Sequence, residues 1–223
     1  MSHIRIASKS YPDLDDDGLY DLICNLHYQI IHRQPDGVNW LGYGMQQWPQ
    51  DLVAYQEIIY QVKPHLIIET GTGGGGCPLF WASILDLMKV GDYKIVTIDY
   101  QGPQHPDAER HPHIICIRGY STAPEVIEKV KSFWGGQTTM VFLDSDHTTQ
   151  NVSNEMEAYG PLVSVGSYMV VEDTIYGATT VHPTGPAQAV AEWLRTHPNW
   201  VIDGHPERWM CTQHPFGWLR RVS

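Results

Sequence analysis

Two apolar runs of the chain end in acids. MVFL leads into Asp144-Ser145-Asp146-His147, and SYMVV leads into Glu172-Asp173. Like charges held close raise one another's pKa and destabilise a fold unless protons or a cation neutralise them. Clustered carboxylates are hard oxygen ligands suited to magnesium, manganese or calcium. A divalent ion here would lower the pKa of a bound hydroxyl and fix its oxygen for reaction. Asp144, Asp146 and His147 are therefore the candidate catalytic residues, with His147 the nearest base in sequence. The plainer alternatives are that Asp146 or Asp173 caps a following helix and that His147 is structural. His182, His205 and His214, in proline-rich or terminal segments, are weaker candidates for lining an acceptor pocket.

A second constellation precedes these acids. The stretch Glu69-Thr70-Gly71-Thr72-Gly73-Gly74-Gly75-Gly76 follows the apolar run HLII. Glycines there let the backbone turn sharply and approach a ligand, while a helix start offers free N–H groups. Gly71, Gly73 and Gly76 also satisfy GxGxxG, so a nicotinamide dinucleotide competes for the site. Glu69 argues against it, because a carboxylate at the turn repels a pyrophosphate but suits the sulfonium and ammonium groups of S-adenosylmethionine. Asp99, ending KIVTID, is placed to accept hydrogen bonds from ribose hydroxyls. Gly119-Tyr120-Ser121 would lie beside an adenine ring. The candidate cofactor residues are thus Glu69, Gly71, Thr72, Gly73, Gly75, Asp99, Gly119, Ser121 and Asp144.

Alternating strands and helices must position these residues. Strands are expected at His65–Glu69, Tyr93–Asp99, Ile114–Arg118, Thr139–Asp144 and Ser167–Glu172, with short ones at Trp200–Ile202 and Gly217–Arg220. Helices are expected from near Asp16 (Leu19, Leu22, Ile23, Leu26, Ile30), after Pro49 and ending before Pro64, and over Leu79–Met88. Others carry Val126, Ile127, Val130 and Trp134, then Val152, Met156 and Tyr159, and the last follows Gly185-Pro186. Continuous apolar strands between amphipathic helices indicate an α/β fold with a parallel sheet covered on both faces. Right-handed crossovers bring the strand ends to one edge, where ligands of such folds bind.

The 223 residues suit one α/β domain spanning 1–223, with residues 1–48 forming a helical lid or an oligomer segment. A formal charge of -11, with only 14 Lys and Arg, argues against nucleic acid as a partner. No apolar stretch approaches the ~20 residues of a membrane span, and the first residues lack a signal-peptide core. Cys24, Cys77, Cys116 and Cys211 are widely spaced, without metal-binding or disulfide-scaffold spacing. A cytoplasmic protein acting on a small molecule fits this balance. Eight tryptophans and twelve tyrosines favour a homo-oligomer.

The segments YQEIIYQVKPHLIIETGTGGGG, LFWASILDL, MVFLDSDHT and PLVSVGSYMVVEDT, with GPAQAV and HPFGWLRR, resemble the cephalosporin hydroxylase family. Despite its name, that family is similar to Rossmann-like methyltransferases, including the enzyme of cephalosporin 7-methoxylation and rhamnosyl O-methyltransferases of antibiotic pathways. The resemblance runs from about Trp40 to Arg221. It implies a seven-stranded sheet with the last strand antiparallel, S-adenosylmethionine at the glycine turn, magnesium at the acids, and methyl transfer to a hydroxyl of a sugar or secondary metabolite. By motif it implies Asp146, Glu172 and Asp173 as metal ligands; the more distant catechol-type enzymes would place Asp144 in the first role. Gln47-Trp48-Pro49 departs from the lysine expected before this proline. A nicotinamide-dependent oxidoreductase and a non-enzymatic scaffold that binds the methyl donor are the competing readings.

Overall fold

The computed structural model describes residues 5–6, 9–10, 18, 22–23, 26, 38–102, 111–178, 184–209 and 211–223. The strands are β1 (Arg5–Ile6), β2 (Lys9–Ser10), β3 (Val38–Trp40), β4 (Tyr43–Met45), β5 (Leu66–Thr70), β6 (Lys94–Asp99), β7 (Ile114–Arg118), β8 (Thr139–Leu143), β9 (Tyr168–Val171), β10 (Trp200–Ile202) and β11 (Trp218–Arg221). The α-helices considered below are α1 (Pro49–Val62), α2 (Gly76–Leu87), α3 (Pro124–Lys131), α4 (Thr149–Tyr159), α5 (Ile175–Ala178) and α6 (Pro186–Leu194). Most of the helix expected over residues 19–30, His182, and most of the segment 1–48 lie outside the described residues.

Seven strands form one sheet in the order β10-β11-β9-β8-β5-β6-β7. The five strands from β9 to β7 in that order run parallel, and β11 is antiparallel to both β9 and β10. This is the sheet anticipated from the alternating pattern and the resemblance. Its register follows from side-chain alternation. Ile68, Val96, Val141 and Met169 point to one face, where they meet Val126 and Val130 of α3, Val152 and Met156 of α4, and Val190 and Trp193 of α6. Ile67, Ile95, Met140 and Phe142 point to the other, against Tyr55 and Ile59 of α1 and Phe80 and Trp81 of α2. Both faces are covered, so β5 and β8 are buried at every residue.

Local signals set the helix ends. Pro49 starts α1, and Lys63 closes it in the left-handed conformation (φ 51°) just before Pro64. The Thr148 side chain caps α4 by accepting from the Asn151 N–H at 3.3 Å. One expectation fails here: α3 ends at Lys131, and Trp134 lies beyond it, 41% exposed. The antiparallel hairpin β3–β4 has no counterpart in the sequence reading, and it packs directly on the glycine turn. Among the described residues, no helix is long and apolar enough to cross a membrane.

Candidate active site

The strand ends of β5 to β9 surround a cavity of about 830 Å³. One end of it is backbone. Gly71 (φ +90°) follows β5, and a Cβ there would sit 1.8 Å from the Asp144 carbonyl oxygen, so only glycine lets the two chain segments pass. Cβ atoms on Gly74 and Gly76 would lie 2.4 and 2.6 Å from the Gly44 carbonyl oxygen. Those two glycines therefore admit the β3–β4 hairpin. A Cβ on Gly73 (φ +49°) would meet nothing within 4 Å, because this residue faces the open cavity. Its N–H donates to Asp99 Oδ2 at 3.2 Å, and the Gln101 N–H donates to Asp99 Oδ1 at 2.8 Å, which fixes this carboxylate at the rim. Thr72, Gly119, Tyr120 and Ser121 line the same end, where the Tyr100 and Tyr120 rings stack at 5.9 Å. Gly75 (φ 80°) caps α2. Glu69 is buried beneath the turn, 1% exposed, and accepts from Thr97 Oγ1, which bonds Thr72 Oγ1 at 2.5 Å. Burial pushes the Glu69 carboxyl well above the usual range.

The other end is made of ionisable side chains. One ligand atom each from Asp144, His147 and Asp173 lies within 4.8 Å of the others. His147 Nε2 stands 3.0 Å from Asp173 Oδ2. Burial lowers the histidine's pKa, but this bond and the charges of Asp173, Glu172 and Asp146 outweigh it, and the net shift is upward. Burial pushes Asp173 up, but its bond and charge interaction with His147 bring the net shift down. Burial and the neighbouring Glu172 charge hold the Asp144 carboxyl well above its ordinary value. Burial likewise lifts Glu172, to about 8, against bonds from Tyr55 and Gln47. No lysine or arginine is among the described residues that line the cavity. Crowded acids that resist ionising, hard oxygen donors and one imidazole fit a divalent cation, whose charge would relieve their repulsion.

A second layer holds this end in shape. Asp173 takes a left-handed backbone conformation (φ 53°), costly for a residue with a Cβ. Its N–H donates to His214 Nδ1 at 2.8 Å. That bond leaves the imidazole proton on Nε2, which faces Tyr55 Oη at 2.7 Å and Gln47 Oε1 at 3.1 Å. Gln47 Nε2 in turn donates to Glu172 Oε2. Burial keeps His214 neutral, with its pKa lowered to about 3. Asp51, on α1, accepts from Thr212 Oγ1 at 2.6 Å and from the Gln213 N–H at 2.9 Å.

The structure thus brings Asp144, His147 and Asp173 together, with Glu172 directly behind them. Asp146 lines the cavity but stands outside that group, and its Oδ1 accepts from the Thr148 N–H at 2.9 Å before α4. Gly71, Thr72, Gly73, Asp99, Gly119 and Ser121 line the cavity; Glu69 and Gly75 do not. His214 is wholly buried and His205 exposed, and neither lines the cavity. Sequence reading missed Tyr55, Asp51 and Gln213. Of this second layer the sequence singles out only Gln47, as a departure from the expected lysine, and His214, as a pocket candidate.

A Rossmann-like sheet with a glycine turn, an acid at the end of the next strand and an acidic pocket defines a methyltransferase-type α/β protein. The match to Rhamnosyl O-methyltransferase/CmcI over residues 33–222 makes the chain a member of that family of O-methyltransferases. The rhamnosyl O-methyltransferase of Mycobacterium leprae (strain TN) is 33% identical over 165 residues, 71% of each chain. That of Mycobacterium bovis (strain BCG / Pasteur 1173P2) is 30% identical over 231 aligned positions, 92% of this chain and 93% of the relative. The solved structure described as cmcI-D160 Mg-SAM superposes with a TM-score of 0.66 at 21% identity, covering 85% of this chain and 78% of that one.

Proposed function

We propose that this O-methyltransferase transfers the methyl group of S-adenosylmethionine to a hydroxyl of a small molecule, with a divalent cation such as Mg²⁺ at the acidic end. A sugar ring hydroxyl is the first acceptor to test, in keeping with relatives named for rhamnosyl groups. The supporting observation is the cavity that joins the glycine turn and Asp99 to Asp144, His147 and Asp173. The Gly71–Gly73 backbone would hold the methyl donor, Asp99 its ribose, and Gly119 and Ser121 the neighbourhood of its adenine. Asp144 and Asp173 would hold the cation, with Glu172 adjoining; the set implied by resemblance replaces Asp144 with Asp146.

When bound, the cation supplies a Lewis acid that eases loss of the hydroxyl proton. His147 lines the cavity beside Asp173, and its imidazole, oriented by the Nε2–H bond to that carboxylate, is the side chain suited to take that proton. The hydroxyl oxygen then bonds to the methyl carbon as the carbon–sulfur bond breaks, so the chain contributes mainly placement and charge. The second layer keeps Asp173 in place while the charge of the site changes.

Labelled methyl donor tested against rhamnosides, other glycosides and phenols, with and without a chelator, checks this reading. Transfer to a glycoside hydroxyl that the chelator abolishes and Mg²⁺ restores is expected. Full activity in metal-free buffer would remove the cation from the reaction. The same reading places the protein in the cytoplasm, in keeping with the reduced thiols of Cys77 and Cys211. It also includes a homo-oligomer, supported by the sheet-edge strand β10, where Val201 and Ile202 are 43% and 42% exposed; light scattering of the purified protein tests it.

A further inference from the structure

Gln213 lines the cavity and is 4% exposed. Its Nε2 donates to Asp173 Oδ1 at 2.6 Å. This bond settles which end of the amide is which, because a flipped amide would set oxygen against a carboxylate oxygen at that distance. The rest of the residue is held as firmly. Its N–H donates to Asp51 Oδ2 and its C=O accepts from the Ile175 N–H at 3.2 Å. Thr212 before it is bonded to Asp51 Oδ1, and His214 after it accepts from the Asp173 N–H. With both ends of the residue fixed, the side chain cannot turn its remaining polar atom elsewhere. That atom, Oε1, is buried and has no hydrogen-bond partner among the described residues. A buried amide oxygen left bare costs stability, so its retention beside the acidic group calls for a donor that comes from outside the chain.

We infer that Gln213 is the positioning residue of the cation site. Its amide N–H aims the Asp173 carboxylate, and its amide oxygen accepts a hydrogen bond from a water that arrives with the cation. Magnesium gives up its waters reluctantly and usually keeps several, so a fixed acceptor at the wall of its site adds to its hold. Partners behind metal ligands orient those ligands and typically change metal affinity by about 10- to 100-fold when removed. The inference rests on the metal-dependent reading above.

The test uses the full chain loaded with S-adenosylhomocysteine and titrated with Mg²⁺ by calorimetry. Gln213→Met keeps the length of the side chain and removes both polar ends; Gln213→Asn keeps an amide but withdraws it from Asp173. Both variants should weaken Mg²⁺ binding by about 10- to 100-fold. Their affinity for S-adenosylhomocysteine without metal should stay within about two-fold of the parent, which also reports folding if one variant is lost. Unchanged Mg²⁺ affinity in a folded variant overturns the positioning role. A crystal structure of the Mg²⁺ complex should place a water within hydrogen-bonding distance of Gln213 Oε1, and a bare oxygen there overturns the second half. If the parent chain itself takes up no Mg²⁺, the metal-dependent reading fails first, a result distinct from either of these.

Discussion

At the glycine end of the cavity the walls are main chain: Gly71 slides past Asp144, Gly74 and Gly76 seat the hairpin, and Gly73 opens on the space. At the acidic end the walls are side chains, and each depends on residues far away in sequence, with Gln47, Tyr55, Gln213 and His214 bracing Glu172 and Asp173. The first end is made by what is missing, since a Cβ added at Gly71, Gly74 or Gly76 collides. The second is made by what is present, and removing one member leaves its partners buried and unpaired. Substitutions should therefore fail in opposite ways, by overfilling at one end and by unpairing at the other.

The largest effect is expected at Asp173. Asparagine tolerates the left-handed backbone that this position requires, so Asp173→Asn should fold. It should lose Mg²⁺ binding in calorimetry and lower methyl transfer by about 1,000-fold or more, while S-adenosylhomocysteine still binds within a few-fold of the parent. An equal loss of both ligands would mean that the two ends are not separable.

Next comes a matched pair in the glycine run. Gly71→Ala meets the Asp144 carbonyl at 1.8 Å and a positive φ together, and should destabilise the ligand-free protein by about 3 kcal/mol or more. Gly73→Ala meets only the positive φ, with open space around it, and should cost about 1–2 kcal/mol. Urea unfolding of both variants measures the difference; equal losses would mean that close approach to Asp144 is not what selects glycine at the first position.

Asp99→Asn should act on one end alone. Its carboxylate is already oriented by the Gly73 and Gln101 N–H groups, so an amide there both weakens those bonds and loses one acceptor. S-adenosylhomocysteine affinity should fall by about 10-fold, as for a hydrogen bond to a charged group. Mg²⁺ affinity in the presence of saturating cofactor product should not move. A shift in the cation titration would tie Asp99 to the acidic end.

The same contrast explains how much was legible in the sequence. The sheet was readable because runs such as LIIET and TMVFL are buried on both faces and carry a local apolar signature. The glycine turn and Asp99 were readable because a backbone-built site keeps its residues consecutive or just after a strand. The acids could be found, but not sorted. Asp144 and Asp146 sit two residues apart, and only the chain's path shows that one joins His147 and Asp173 while the other bonds the Thr148 N–H. Glu69 reads as a ligand-facing acid because its burial depends on Thr97, a residue of the next strand. Gln213 carries no signal at all; its role comes from tertiary contacts with Asp51 and Asp173, from α1 and from the turn after β9.

The smallest effect tests whether the bracing layer is neutral. Burial pushes Asp51 up to about 7 from 3.8, against the bonds it accepts from Gln213 and Thr212. Between those two values the folded chain keeps a proton that the unfolded chain has released, so stability falls as pH rises through that window and levels off above about 7. Asp51→Asn has no such proton and can still accept from the Gln213 N–H while donating to Thr212. The melting temperature of the parent minus that of the variant should therefore decline from pH 5 to pH 7 and then stay constant. Glu207, also raised to about 7, titrates in both proteins, so only its repulsion with Asp51 remains in the difference. A difference that stays flat would mean that Asp51 is ionised throughout, and that Gln213 is anchored to a charge inside the acidic end instead of to a neutral acid.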